Sequence, residues 1–279
     1  MTGATGFIGN YVVQELLKKN CLVIASSCNE EKARTKLWFG KVRYVPLDFG
    51  TIDESRNYFE KFEQPEHIIH LAWEGLPNYK SLFHFEKVLP SQYTFLKNLI
   101  INGAGSVTVS GTCFEYGMQE GCLSEHYIPQ PANPYALAKN TLRLYLEELQ
   151  KQHPFLLKWV RLFYMYGTGQ NPKSLLAQLD SALDSGEKTF NMSGGEQVRD
   201  YLPVEKVAEN IVAIALQENI GGIINCCSGE GVAVKELVQQ YLIKKKKSIK
   251  LNLGFYPYPD YEPTAFWGDN NKLKLIIKQ

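Results

Sequence analysis

Tyr135 and Lys139 are the residues whose types and spacing most directly suggest chemistry. They stand four positions apart in Tyr135-Ala136-Leu137-Ala138-Lys139, so on a helix the phenol and the ammonium share one face. A free tyrosine has a pKa of ~10, and a neighbouring cation favours its phenolate. Such a tyrosine can exchange a proton with a carbonyl or alcohol oxygen near neutral pH. We therefore predict a catalytic pair, although this spacing alone is also typical of a surface pair.

A hydroxyl group is expected to complete this site. The segment Val109-Ser110-Gly111-Thr112-Cys113-Phe114-Glu115-Tyr116-Gly117 leaves a predicted strand at its carboxyl end. A hydroxyl at that end can hydrogen-bond the reacting oxygen beside the tyrosine. Thr112 is the predicted residue, and Ser110, which fits better as the last residue of the strand, is the alternative.

A glycine-rich turn opens the chain in Thr2-Gly3-Ala4-Thr5-Gly6-Phe7-Ile8-Gly9. At this spacing Gly3 would permit a tight turn, Gly6 would let the backbone approach a pyrophosphate, and Gly9 would allow close helix packing. The helix that follows would direct its free N–H groups and its positive dipole end at the phosphates. Three glycines at a terminus also fit a flexible tag, but the amphipathic helix and strand that follow favour a dinucleotide site.

Short apolar, β-branched runs alternate with helical patterns over the first 165 residues. The predicted strands, which we expect to be buried on both faces, are 22–25, 42–47, 68–72, 107–110 and 157–160. The predicted helices of this part are 8–17, 85–101 and 135–149. This alternation predicts an α/β fold with a doubly wound parallel sheet of the Rossmann type.

We predict two domains. Residues 1–165 would form the dinucleotide-binding domain, to which 200–228 return, and 166–279 would mainly form a smaller C-terminal substrate-binding domain. The tail at 254–263 is rich in Tyr, Pro and Gly and would cover one mouth of the sheet. Ligands of such sheets lie at the carboxyl ends of the strands, so this cover fits a substrate pocket.

Composition excludes several classes of protein. The net charge is +1, from 30 basic and 29 acidic residues, so we expect no nucleic-acid partner. No apolar run approaches the ~20 residues of a membrane span, so we expect no membrane partner. The six cysteines form no C-x-x-C pattern and no His pair stands at metal spacing, so we expect no metal site. Free thiols indicate a reducing compartment and hence a cytoplasmic enzyme or binding protein.

The first strand of the dinucleotide fold is expected to be missing. Such a glycine turn normally follows a central strand of ~5–6 residues, whereas here only Met1 precedes Thr2-Gly3. Losing about four buried aliphatic side chains would cost roughly 6–12 kcal/mol, comparable to the whole stability of a domain. We therefore expect either a physiological start upstream or a form with weak cofactor binding, unless another segment fills the gap.

Together these motifs resemble the extended short-chain dehydrogenase/reductase family, particularly its nucleotide-sugar epimerases, dehydratases and reductases. The resemblance covers nearly the whole chain. It includes five further segments: Leu47-Asp48, His70-Leu71-Ala72, Arg161-Leu162-Phe163, Val198-Arg199-Asp200-Tyr201-Leu202-Pro203-Val204 and Asn225-Cys226-Cys227-Ser228-Gly229. The resemblance implies that Thr112, Tyr135 and Lys139 are catalytic and that Arg199 contacts the diphosphate of a nucleotide-sugar. Tyr164, which stands where the family usually has an asparagine, is a further candidate for substrate binding.

The resemblance also implies a cofactor site, which is expected to hold NADP or, as the alternative, NAD. Its predicted residues are Gly3, Gly6, Phe7, Ile8, Gly9, Ser26, Asp48, Leu71, Ala72, Tyr135 and Lys139. An Asp or Glu usually ends the second strand where a ribose 2′-hydroxyl is bound. Here the sequence reads Ala25-Ser26-Ser27, with no carboxylate to repel a 2′-phosphate, and Lys32 or Arg34 follows.

Several residues differ from the family's motifs, and these differences argue against some of the family's reactions. Its 4,6-dehydratases carry Asp-Glu after the catalytic threonine, where this chain has Cys113-Phe114. Its epimerase-reductases of the fucose type use a cysteine two residues before the motif tyrosine, whereas Cys113 lies three before Tyr116, and no histidine occurs in 163–173. We therefore predict NAD(P)H-dependent reduction of the 4-keto group of a nucleotide-activated 6-deoxysugar. The alternatives are a nucleotide-sugar 4-epimerase and, more remotely, a non-catalytic dinucleotide sensor.

A homodimer is expected from the same resemblance. In the family, the helices at 85–101 and 135–149 pair across a two-fold axis. Here Phe95, Leu144 and Tyr145 are expected on their outer faces, where they would be apolar enough to pack against a second copy.

Overall fold

The computed structural model describes residues 1–258, 260 and 262–278. Its strands are β1 (Ile24–Ala25), β2 (Arg43–Tyr44), β3 (Ile68–His70), β4 (Ser106–Thr112), β5 (Gly121–Leu123), β6 (Leu156–Leu162), β7 (Tyr164–Tyr166), β8 (Thr189–Asn191), β9 (Val198–Arg199), β10 (Tyr201–Pro203), β11 (Gly222–Cys226), β12 (Val232–Ala233), β13 (Lys250–Asn252) and β14 (Phe266–Gly268). Its α-helices are α1 (Phe7–Lys18), α2 (Glu30–Arg34), α3 (Tyr58–Lys61), α4 (Leu89–Ile101), α5 (Pro134–Gln152), α6 (Leu175–Asp184), α7 (Val204–Leu216), α8 (Val234–Lys245) and α9 (Asn271–Ile277). None of these helices is long and apolar enough to cross a membrane.

The main sheet is parallel and doubly wound, as the alternating pattern predicts. Four strands pair in the order β11-β6-β4-β3, and β1 pairs with β2. Thr2 joins the two sets through parallel bridges to Ser26 and His70. The Thr2 amide donates to the Ile69 carbonyl at 2.9 Å, and the Ser26 amide donates to the Met1 carbonyl at 2.9 Å. Met1 and Thr2 therefore lie where the fold places its first strand, and the order of strands reverses there.

Burial departs from the prediction at the side of the sheet formed by β1 and β2. The strands β3 and β4 are buried along their whole length. By contrast, Arg43 of β2 is exposed, and Leu22, predicted to open β1, lies outside that strand and is fully exposed. The expectation of burial on both faces is wrong for these residues: within the part of the chain that the structure describes, β2 pairs with β1 alone and so lies at the edge of the sheet.

Helices cover both faces of the sheet. One residue of the dimer hypothesis, Phe95, lies in the core and not on an outer face. Phe95 of α4 is 1% exposed and packs against the rings of Phe49 and Tyr58, with centroids 5.2 and 5.5 Å away. Its expected position on an outer face is therefore wrong, because it belongs to the core between α4 and the sheet. Leu144 and Tyr145 of α5 are exposed at 44% and 46%.

A second hydrophobic core lies outside the main sheet. It is built from α6, β8, α8 and β13. In contrast, α7 packs against α1, and α9 returns to pack on α7 and β11. The proposed substrate-binding domain would thus centre on the core of α6, β8, α8 and β13. The helix α9 would instead belong to the proposed dinucleotide-binding domain.

Candidate active site

Most of the predicted site residues meet at the carboxyl edge of the main sheet. Thr112 is the last residue of β4, Leu71 and Ala72 follow β3, and Tyr164 comes two residues after β6. The glycine turn leaves Thr2 at the same edge. In parallel sheets ligands bind at this edge, where the strand order reverses.

The glycine turn forms a close-packed cradle at the start of α1. Gly3 has a φ of +71°, and a Cβ there would lie 2.8 Å from the Ala72 amide nitrogen. A Cβ at Gly9 would overlap the Gly3 carbonyl oxygen. Gly6 is the N-cap of α1, followed by Phe7 and Ile8, so the N–H groups of the first turn have no partner within the helix. These residues fit the pyrophosphate of a dinucleotide.

Thr112 is held by a buried carboxylate three residues later. Its side chain accepts from the Phe114 amide at 3.3 Å, and its amide donates to Glu115 Oε1 at 2.8 Å. Glu115 also accepts from Trp159 Nε1 at 2.9 Å and from Arg161 Nε at 2.8 Å. The Glu115–Arg161 pair is completely buried. The buried Glu115–Arg161 ion pair thus anchors the turn that carries the Thr112 hydroxyl.

Tyr135 lies in the first turn of α5, beside Thr112. The helix begins here because the Asn133 side chain accepts from the Ala136 amide at 2.9 Å and Pro134 takes the first helical position. Tyr135 is 7% exposed. Burial raises its pKa well above the usual value, and its hydrogen bond with Thr112 acts in the opposite direction. In the absence of ligands the phenol is therefore protonated, which is the form a general acid requires.

Lys139 follows one turn later and is 1% exposed. Its Nζ donates to the Ser110 carbonyl at 2.8 Å and lies 3.4 Å from the Ser110 hydroxyl. Burial lowers the pKa of Lys139 to about 7, and Glu115 opposes this shift. Ser110, the alternative to Thr112, thus positions the lysine.

Lys139→Met is expected to stabilise the ligand-free protein, and more so at pH 6 than at pH 9.5. The pKa of Lys139 in the folded protein, about 7, lies below the ordinary lysine value of 10.5. Below pH 7 the ammonium is charged in both states, so burial penalises the folded state in full; above pH 7 the folded protein releases the proton and the penalty falls. Urea unfolding of both proteins at each pH measures the difference. Lys97→Met, at an exposed site, is the matched control, and an equal gain at both pH values would contradict the prediction.

Three aromatic residues surround this pair, although the motifs did not single them out. The Trp73 ring lies 4.0 Å from Lys139 Nζ, and Trp73 Nε1 donates to His84 Nδ1 at 3.2 Å. His84 Nε2 lies 2.8 Å from the Asn78 carbonyl, which can only accept, so this nitrogen is the donor of the contact. The Tyr79 carbonyl accepts from the Tyr135 amide at 3.1 Å. Trp73 directly follows the segment His70-Leu71-Ala72, and this position is the sequence feature that could have identified it as a site residue.

Arg199 is buried in an aromatic environment. Its guanidinium Cζ is 4.7 Å from the Phe266 ring and 5.9 Å from the Tyr164 ring. It pairs with Glu262, a residue that the motifs did not single out. Burial raises the pKa of Tyr164 well above the usual value, so its phenol is protonated. Phe114 links the two regions, since its ring lies 6.5 Å from that of Tyr135 and 6.2 Å from that of Tyr164.

The remaining cofactor candidates lie on the other side of the glycine turn. Ser26 is completely buried, and its hydroxyl has no hydrogen-bond partner among the described residues. Asp48 is exposed, and its Oδ1 accepts from the Gly50 amide at 2.8 Å. Beside Asp48, a cleft of about 530 Å³ is lined by Phe49 and Gly50. Asp48 and the cleft are thus open to a ligand, whereas Ser26 is not.

One group of side chains combines potential metal ligands. Glu66, His67 and Glu218 bring one ligand atom each within 4.8 Å of one another. They lie at the amino end of β3, so this group belongs to the opposite edge of the sheet from Thr112. The candidate site itself therefore shows no such group among the described residues.

Comparison with known proteins decides the family. The sequence profile of the NAD dependent epimerase/dehydratase family matches residues 1–227. The chain belongs to that family. It is therefore an enzyme with the oxidoreductase or epimerase chemistry that the motifs and the resemblance predicted, and the family to which it belongs is NAD-dependent.

Relatives agree with this membership. A dTDP-6-deoxy-L-talose 4-dehydrogenase (NAD(+)) from Aggregatibacter actinomycetemcomitans is 29% identical over 96% of this chain and 98% of its own. A GDP-6-deoxy-D-talose 4-dehydrogenase from the same organism is 25% identical over 99% and 90%. Among solved structures, UDP-glucose 4-epimerase from Thermotoga maritima with UDP-glucose has a TM-score of 0.81 at 22% identity, covering 98% of this chain and 90% of that one. This structural match confirms the fold.

Proposed function

We propose that this enzyme reduces the 4-keto group of a nucleotide-activated 6-deoxysugar with NAD(P)H. The observation that carries the proposal is the buried contact between a protonated Tyr135 and Thr112, one helical turn from Lys139. The neighbouring positions Cys113 and Phe114 provide no carboxylate for a dehydration. The two talose 4-dehydrogenases support reaction at C4, because the reverse of a 4-dehydrogenase reaction reduces a 4-keto group.

The chain's own residues would hold the keto oxygen and protonate it. Thr112 would donate its hydroxyl hydrogen to the oxygen and orient it beside the phenol. Tyr135 would give its proton to the same oxygen and regain one from solvent. Lys139 would stabilise the transient phenolate and bind the nicotinamide ribose. The bound cofactor supplies the hydride that reduces C4.

Substrate binding is proposed to extend from Tyr135 toward Arg199. The rings of Tyr135, Phe114 and Tyr164 follow one another at spacings of about 6 Å, and the Arg199 guanidinium comes next. The sugar would lie near the first rings and the diphosphate near the guanidinium, whose fork suits two phosphate oxygens.

Turnover with added NADH or NADPH tests the proposal. We would incubate the enzyme with 4-keto-6-deoxy sugars carrying dTDP, GDP or UDP and follow the loss of reduced cofactor. Stoichiometric consumption with at least one substrate supports the reductase. Interconversion of C4 epimers without net consumption would favour the 4-epimerase, and binding without turnover of either kind would favour the sensor.

We expect NADPH to bind more tightly than NADH. The segment after β1 offers Ser26 and Ser27 in place of a carboxylate, and Lys32 is exposed nearby. Arg34, the other candidate, is already paired with Glu30 at 2.6 Å, so Lys32 would contact the 2′-phosphate. Dissociation constants measured by fluorescence decide this. Lys32→Ala should weaken only NADPH, and tighter binding of NADH by the unchanged protein would contradict the preference.

The enzyme is also proposed to be a homodimer that pairs through α4 and α5. Tyr93 and Tyr145 contact each other across these helices at 5.1 Å, and Leu137 and Leu144 are exposed at 46% and 44%. Light scattering at micromolar concentration should give twice the mass of 31.7 kDa. Leu144→Glu should shift the protein to monomer, whereas Leu22→Glu, on another exposed leucine, should not. A wild-type monomer would contradict the proposal.

A further inference from the structure

Arg199 and Glu262 form an ion pair at the place where the proposed function puts the substrate's diphosphate. Their side chains are 2% and 11% exposed. Glu262 Oε2 accepts from Arg199 Nη2 at 2.9 Å and from Nε at 3.2 Å. The pair thus uses the side of the guanidinium on which two donors are parallel.

The rest of the guanidinium is also engaged. Its Nη1 donates to the Val198 carbonyl at 2.9 Å and to the Thr264 carbonyl at 3.0 Å. A guanidinium has five N–H groups, so these contacts leave one, on Nη2. A diphosphate that binds through two parallel N–H groups therefore needs the donors that now serve Glu262.

Electrostatic repulsion also indicates that Glu262 and a diphosphate cannot share Arg199. A diphosphate and a carboxylate at one buried guanidinium would repel each other in a medium where repulsion is weakly screened. Arg199 need not move when the carboxylate leaves, because the two carbonyls and the Phe266 ring hold its position from other sides.

We propose that Glu262 is an internal competitor for Arg199 and that the guanidinium exchanges this carboxylate for the substrate's diphosphate. Glu262 thereby sets the affinity for the nucleotide part of the substrate: it compensates the buried cation in the free enzyme and must be displaced on binding. This inference rests on the proposed function, since that function places the diphosphate at Arg199.

Calorimetric titration with UDP, dTDP and GDP tests the inference without turnover. Glu262→Gln removes the competing charge, so we expect the nucleoside diphosphate that binds best to bind about tenfold more tightly. Glu262→Ala should act in the same direction and serves if the glutamine variant does not fold. Glu187→Gln makes the same change of charge at an exposed site and should bind as wild type does.

Arg199→Gln separates the two ideas. If it binds the nucleoside diphosphates as tightly as wild type, the placement of the diphosphate at Arg199 is wrong. If it weakens binding while neither folded Glu262 variant tightens it, the placement stands and the competition by Glu262 is wrong. Weaker binding by Arg199→Gln together with tighter binding by Glu262→Gln supports both.

Discussion

Tyr135→Phe is expected to lower kcat by ~10²–10⁴-fold, the usual contribution of a general acid. The change removes only the hydroxyl that would protonate the keto oxygen. The ring keeps its packing against Tyr79 and His84, whose centroids lie 5.5 and 5.3 Å away. Binding of cofactor and nucleotide-sugar should therefore survive. Steady-state turnover and calorimetric titration measure the two properties separately.

Tyr127→Phe is the matched control for this change, since Tyr127 is 43% exposed and lies outside the candidate site. It should leave turnover within experimental error of wild type. Normal turnover by the Tyr135 variant would show that another group protonates the oxygen. Loss of cofactor binding by that variant would show that the phenol acts mainly in binding.

Glu115→Ala is expected to reduce the free energy of unfolding by ~3–5 kcal/mol, because it leaves a buried charge without its partner. Both Glu115 and Arg161 are completely buried, and the carboxylate also accepts from Trp159 and from the Thr112 amide. Denaturant unfolding measures the loss. Turnover should fall as well, since the turn that holds Thr112 loses its anchor.

An exposed ion pair provides the control for this prediction. Lys206 and Glu209 pair at 2.9 Å with both side chains about half exposed, so Glu209→Ala should cost ~0–1 kcal/mol. Replacing both buried partners, as in Glu115→Leu with Arg161→Met, should restore much of the lost stability, because no charge then remains unpaired. A loss at Glu115 no larger than at Glu209 would contradict the argument.

Local pattern was enough to predict the parallel sheet and the residues at its carboxyl edge. Each of these structures depends on residues close together in the chain: the glycine turn, the strand that ends in Thr112, and the helix that carries Tyr135 and Lys139. Since parallel strands all end at one edge, correct strands bring those residues together.

Contacts between distant segments could not be predicted in this way. Glu262 reaches Arg199 across 63 positions of the chain, and no short spacing encodes that pairing. Phe95 was placed on the wrong face because helical periodicity alone does not say which apolar side chains meet the sheet. Trp73 lay beside a recognised motif, but only the fold shows its ring over Lys139.

The separate core of α6, β8, α8 and β13 has a consequence for how this enzyme could change. Substitutions at sites that are well apart and share no partners combine nearly additively. Residues packed in that core share few contacts with the glycine turn, so altered side chains there would leave the dinucleotide cradle and its stability largely intact. Substitutions could thus accumulate in that core while the glycine turn and its packing are inherited unchanged.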